Sequence, residues 1–128
     1  MAQVTITGIS PCFLVRDVPA TVSFYCEKLG FEIEYLEPDP FFAIVRRDGA
    51  MILVKAVGVE ALPNRKRHEW ARWDAYVSVP HPDSLAAEFA SRGVGFSKPL
   101  EDTQDGLRGF EIEDVDGYVL FFGRPRAK

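Results

Sequence analysis

Histidine is scarce in this chain of 128 residues, with only His68 and His81 present. Neither falls in a stretch that reads as a strand, so no histidine pair on a sheet is available to hold a metal ion or act as a general base. Cysteine is equally scarce: Cys12 and Cys26 form no Cys-x-x-Cys zinc motif and suggest no disulfide framework, so a reducing, cytoplasmic setting is expected. No apolar run approaches the roughly 20 residues of a membrane-spanning helix. The opening MAQVTITGIS has neither a basic n-region nor an apolar h-region, so it does not read as a signal peptide. A basic excess is also missing, with 15 Lys and Arg against 19 Asp and Glu. The only cationic run is Arg65-Lys66-Arg67, followed by His68, and nucleic acid is not an expected partner.

Hydrophobic residues make up 47% of the chain, enough for one domain with a substantial core. Ile9 to Val15 reads as a strand. A helix follows, with Asp17 placed to accept from the orphan N–H groups of its first turn, Pro19 at an early position and Gly30 as the stop. FEIEYLE (Phe31 to Glu37) alternates apolar and acidic, the pattern of a half-buried strand. FFAIVRR and AMILVKAV are two more strands joined by an Asp48-Gly49 turn. Gly58 to Arg72 has no period and reads as a linker.

The order then repeats. WDAYVSV is a strand and PDSLAAEFASRG a helix stopping at Gly93. VGFSKPL is a strand ending near Pro99, RGFEIED another, and YVLFFG the last, after an Asp116-Gly117 turn. Val15 pairs with Val79, Gly30-Phe31 with Gly95-Phe96, and Asp48-Gly49 with Asp116-Gly117. The expected fold class is α+β, built as two tandem βαβββ modules. The expected organisation is one domain, residues 1–128, with module 1 at about 7–57, a linker at 58–72 and module 2 at about 73–123.

FLVRDVPATVSFYCEKLGFEI in the first half and GLRGFEIEDVDGYVLFF in the second resemble the vicinal-oxygen-chelate superfamily. That superfamily includes glyoxalase I, extradiol dioxygenases, fosfomycin resistance enzymes and bleomycin resistance proteins. The resemblance runs from about Ile9 to Gly123. It implies curled mixed sheets around a cavity, with the helices on the convex face. It also implies, in the metalloenzymes, a divalent ion held from the first and last strands of each module. Carried over position by position, the usual ligand sites fall on Ser10, Leu53, Asp74 and Phe121. Asp74 alone is a good ligand, and such sites need three or four donors. The expectation is no metal, no other cofactor and no catalytic residue. Cys12 has no strand histidine to activate it as a nucleophile.

Within the superfamily, DPFFAIVRRDGAMILVKAV and DAYVSVPHPDSLAAEF are most similar to the bleomycin resistance type. That similarity implies a homodimer, whether swapped or unswapped, that sequesters a cationic aromatic molecule in interface crevices. Phe41 falls where those proteins place a stacking aromatic, and Tyr76 where they place a tryptophan. Where they carry another tryptophan this chain has Asp105, before Gly106.

Period-two alternation assigns faces. If the ligand-equivalent positions face the cavity, so do Ser10, Cys12 and Leu14, Met51, Leu53 and Lys55, Asp74, Tyr76 and Ser78, and Val119 and Phe121. Phe13, Val15, Ile52, Val54, Val77, Val79, Leu120 and Phe122 then pack on the helices. The candidate ligand-binding residues are Phe41, Tyr76, Asp74, Phe121, Cys12, Leu53, Lys55 and Arg108. Asp39, Asp102 and Asp105 are loop acids able to attract a cation, whereas Lys55 and Arg108 favour an anion.

The leading reading is a metal-independent small-molecule-binding protein, with antibiotic sequestration as the implied role. One alternative is a glyoxalase-like lyase or a dioxygenase-like metalloenzyme with an atypical ligand set drawn from Asp74 and Glu111 or Glu113. Another is a partner-binding subunit whose cavity is filled by Met51, Phe121 and Tyr76.

Overall fold

The computed structural model describes residues 4–39 and 41–126. The chain runs β1 (Cys12–Leu14), α1 (Val18–Leu29), β2 (Glu32–Leu36), β3 (Phe42–Arg47), β4 (Ala50–Lys55), α2 (Asn64–Arg67), β5 (Ala75–Ser78), α3 (Pro82–Ser91), β6 (Phe96–Asp102), β7 (Leu107–Glu113) and β8 (Val119–Pro125). Two four-stranded mixed sheets form, with strand orders β1-β4-β3-β2 and β5-β8-β7-β6. In each, the first strand runs parallel to the last and the other pairs are antiparallel.

The duplication read from the sequence is present in the hydrogen-bond register. Cys12 opposes Leu53 in sheet 1, and Tyr76 opposes Phe121 in sheet 2. Val15 donates its N–H to the carbonyl of Lys55, and Val79 donates to that of Gly123. The helix ends differ between the copies. Gly30 closes α1 at φ 74°, but in module 2 the left-handed residue is Gly93 at φ 82°, two positions before Gly95. The Asx-Gly turns differ too: Asp48 takes positive φ in module 1 and Gly117 does so in module 2.

Local chemistry explains the elements. The Asp17 carboxylate accepts from the Ala20 N–H at 3.0 Å and caps α1. β1 begins only at Cys12, because Pro11 has no N–H to donate; its carbonyl still accepts from Leu53. β6 does not stop near Pro99 but runs on to Asp102. It is an edge strand, where proline costs no ladder bond, and its register shifts on either side of Lys98. Gly58 to Arg72 is not wholly irregular, since α2 forms within it.

The core follows the predicted alternation. Phe13, Val15, Ile52, Val54, Leu120 and Phe122 are buried, and Val77 and Val79 pack against them. β2 departs from its half-buried pattern. All five of its residues are exposed, with Ile33, Tyr35 and Leu36 on the surface. It is the outer strand of its sheet, and none of the described residues covers it.

The modules are joined where the β7–β8 turn meets α1. Phe13 stacks on Tyr118 with centroids 4.3 Å apart, and the Tyr118 hydroxyl donates to the carbonyl of Leu14. The Tyr25 hydroxyl donates to Asp114 at 2.8 Å, and Arg16 bonds Asp116 at 3.0 Å. The backbone N–H groups of Asp116 and Tyr118 also point at the Asp114 carboxylate. On the far side of α1, Arg47 makes a two-point pair with Glu88 of α3.

Burial pushes the Asp114 carboxyl up to about 6, although the hydrogen bonds from Tyr25, Asp116 and Tyr118 pull it down. The folded chain thus keeps this proton between about pH 4 and 6, where the unfolded chain has released it. Stability contributed by the protonated form falls as pH rises through that window. Asp114→Asn cannot ionise and keeps an acceptor for the two N–H groups. From urea denaturation at pH 4, 5, 6 and 7, the wild type is expected to lose on the order of 2 kcal/mol relative to Asp114→Asn across the series. Parallel curves for the two proteins would mean that this carboxyl titrates as it does in the unfolded chain.

Candidate functional site

The open faces of the two sheets differ in chemistry. In module 1, Cys12 and Leu14 on β1 lie beside Leu53 and Lys55 on β4. Phe42 and Ile44 on β3 continue this face opposite Lys55 and Leu53. Cys12 and Leu14 are exposed, and Met51, Leu53 and Lys55 are half-buried. It is largely an aliphatic wall with one amine. Phe41 stands before β3 with 48% of its surface exposed, and its carbonyl accepts from Ala56.

In module 2 the open face is aromatic and acidic. Phe121 is buried, and its ring is seated against two glycines. A Cβ at Gly109 would come within 2.6 Å of Phe121 Cζ, and one at Gly123 within 2.5 Å of Cε2. Only the bare backbone of β7 and β8 leaves room for this ring. Trp73 stacks on Phe121 at 4.6 Å between centroids, and Tyr76 lies at 5.5 Å. Tyr76 keeps 39% of its surface exposed. The Trp73 indole N–H donates to Glu111 at 2.9 Å, and Glu111 is otherwise buried. Trp73 was not among the candidates from sequence. Read as the first residue of the WDAYVSV strand, it would face the helix side, opposite Asp74 and Tyr76; but β5 begins only at Ala75, so strand alternation does not hold at Trp73.

The linker supplies the charge partners of this face. Arg65 pairs with Glu113 through both guanidinium ends, at 2.5 and 2.6 Å. Arg72 pairs with Asp105 at 3.1 Å and lies over the Trp73 ring, 4.6 Å from its centroid. The Thr103 hydroxyl, then Arg72, holds the Asp105 carboxyl below its ordinary range.

Two candidates have other work. Asp74 accepts from the backbone N–H of Asn64 and of Val119, both at 2.8 Å, so it pins α2 to the start of β8. Arg108 does not face the open side, and that expectation is corrected. It makes a two-point pair with Asp83 of α3 and a third bond to Asp102, because its neighbours on β7, Phe110 and Ile112, alternate with Gly109 and Glu111 onto the helix side. Asp102 is thereby paired within the chain as well.

A groove of about 740 Å³ opens between the start of β4 and the free edge of β5, with α3 forming its other side through Ser84, Leu85, Glu88 and Phe89. Met51 and Tyr76 both line it, so the structure brings these two predicted cavity residues to one opening, and Met51 does not fill it. His81 also lines it, exposed at the foot of α3, and His68 is exposed on the linker.

The residues at the superfamily's usual metal positions do not fit a divalent ion. Leu53 and Phe121 carry no donor atom, and Asp74 has an N–H group on each carboxylate oxygen. Glu111 and Glu113, the atypical set, are engaged by Trp73 and Arg65. Among the described residues no group of three or more His, Cys, Asp or Glu converges on one point. No helix of the described residues is long and apolar enough to cross a membrane.

Among curated proteins, no significant match to the chain was found. Solved structures do match. A bleomycin-binding protein from bleomycin-producing Streptomyces verticillus, complexed with copper(II)-bleomycin, is 26% identical; the match covers 97% of this chain and 100% of that one, with a TM-score of 0.74. TioX from Micromonospora sp. ML1 is 19% identical over 94% of this chain and 99% of its own, also with a TM-score of 0.74. A glyoxalase/bleomycin resistance protein/dioxygenase from Alicyclobacillus acidocaldarius is 18% identical over 94% and 92%, with a TM-score of 0.76. Residues 6–122 match the family described as Glyoxalase/Bleomycin resistance protein/Dioxygenase superfamily, which agrees with the paired modules and their registers, and the chain belongs to that superfamily.

Proposed function

We propose that this protein binds a small planar molecule without a metal ion, holding it against the open sheet faces in a dimer of two copies. The observation that carries the proposal is the stack of Trp73, Phe121 and Tyr76. Phe121, at its centre, falls where the resemblance puts a metal donor in the superfamily's metalloenzymes, and a buried carboxylate lies beside the stack. Aromatic faces hold planar heterocycles at little conformational cost, and Glu111 favours a positive ligand. The similarity to a bleomycin-binding protein supports sequestration of an antibiotic as the role.

A second copy accounts for the surface this chain leaves open. Leu14, Ile33, Tyr35, Leu36 and Phe41 are exposed on module 1, and apolar side chains left open on one module suit an interface with a second copy. The segment before β1 adds Val4, Ile6 and Ile9, each almost fully exposed. Its exchange between copies would give the swapped form of the dimer.

Three measurements test this reading. Thermal shift against bleomycin and a panel of planar aromatic cations should yield hits. Tyr76→Ala and Phe41→Ala should weaken such a hit by roughly tenfold, the worth of a lost stacking contact, with little change in melting temperature. Unchanged affinity in both variants would remove these residues from the site. Sedimentation velocity at micromolar concentration should show a dimer, and a monomer would overturn the shared crevice. Elemental mass spectrometry after exposure to zinc, nickel, manganese and ferrous iron should find well under one ion per chain. One tightly bound ion would move the reading to a metalloenzyme.

A further inference from the structure

Arg72 is the last residue of the linker, and its guanidinium sits in a recess that suits a planar cation. Its Cζ lies 4.6 Å from the Trp73 ring centroid. One edge bonds Asp105 at 3.1 Å, and another amine is 3.8 Å from Glu111. The recess is built rather than incidental. The Glu111 side chain is only 8% exposed, its Oε2 is aimed by the Trp73 indole N–H, and Trp73 is backed by Phe121. Arg72 is a looser part. Its side chain is 43% exposed and Asp105 is 51% exposed, so their ion pair is screened and weak. An exposed cation–π contact adds only about 0.5–1 kcal/mol.

We propose that Arg72 is an internal surrogate ligand. It occupies a subsite for a planar monocation, such as a guanidinium, an amidinium or a protonated heterocycle; a cation must displace it to enter, whereas a neutral ligand gains nothing from Glu111 there and binds outside that subsite, leaving Arg72 in place. This rests on the reading of the module 2 face as a ligand site, and it names the ligand's charge and shape there. The guanidinium is planar and weakly hydrated, so it matches an aromatic face and a carboxylate edge at once. Swinging Arg72 out leaves Glu111 buried beside Trp73 without a cation. That is a costly state, which an amidinium of the ligand relieves. Arg72 therefore sets both the affinity and the preference for positive charge.

The test uses benzamidinium and its neutral isostere benzamide, titrated by calorimetry at matched ionic strength against the full chain. Arg72→Gln, which keeps the stem and removes the charge, should bind benzamidinium about tenfold more tightly than the wild type. Benzamide affinity should stay the same in both. Adding Glu111→Gln should abolish the gain. Arg72→Ala provides a second removal of the cation should Arg72→Gln unfold. Equal or weaker benzamidinium binding in both Arg72 variants, or an equal gain for benzamide, would overturn the surrogate role. The underlying reading is tested separately. If Tyr76→Ala still loses a thermal-shift hit while the Arg72 variants gain nothing, the ligand face stands and the gate falls. If neither benzamidinium nor any member of the panel binds wild type or variant, both fall.

Discussion

Each sheet in this fold has only one covered face, and that constraint shapes the rest. α1 and α3 pack on the convex sides, where Phe13, Val54, Leu120 and Phe122 join one continuous core. The modules are fixed to one another through that core and through the β7–β8 turn. Tyr25 and Asp114 meet there, and Phe13 stacks on Tyr118. Burial keeps the Tyr25 hydroxyl protonated far above its ordinary value, with Asp114 adding to the effect, so it remains a donor. With the helices packed on the covered sides, the linker is what the described residues lay over an open face.

The linker does this on one side only. Asp74 anchors α2 to the start of β8, Arg65 closes Glu113, and Arg72 closes Glu111 and Asp105. The acids of module 2 are thus balanced by cations from outside the sheet. This removes them as metal donors and leaves an aromatic surface in their place. Phe121 belongs to the same arrangement. Gly109 and Gly123 flank its ring where any side chain would collide, so the seat requires glycine on the neighbouring strand β7 and again on β8 itself.

The architecture was legible in the sequence because its signals are local and repeated. Asp17, Gly30 and the Asx-Gly turns each report a backbone conformation, and the recurrence of the glycine stop and the Asx-Gly turn about 65 residues later reports the duplication. Alternation separated Phe13, Ile52 and Leu120 from Cys12, Met51 and Tyr76, because a period of two leaves no freedom once the register is set. The site was less legible. Trp73 lies outside a strand, and its contact with Glu111 joins residues 38 apart. Arg108 was misplaced because one residue of slip turns a side chain to the other face. Asp74 looked like a ligand because nothing in the sequence records that two backbone N–H groups were waiting for it. The exposure of β2 was hidden for a related reason: alternation describes a strand with one face under a partner layer, and among the described residues no layer buries any residue of β2.

The shared register of the modules has a chemical consequence. Cys12–Leu53 and Tyr76–Phe121 are equivalent pairs on equivalent strands, yet one presents aliphatic surface and the other presents rings. The duplication has kept the geometry symmetric while the chemistry has become polar from one wall to the other. Under the proposed binding role, a molecule that touched both walls would satisfy them in one direction only, with a flat, charged end on the tryptophan side and an apolar end on the leucines. Such a guest would have a head and a tail.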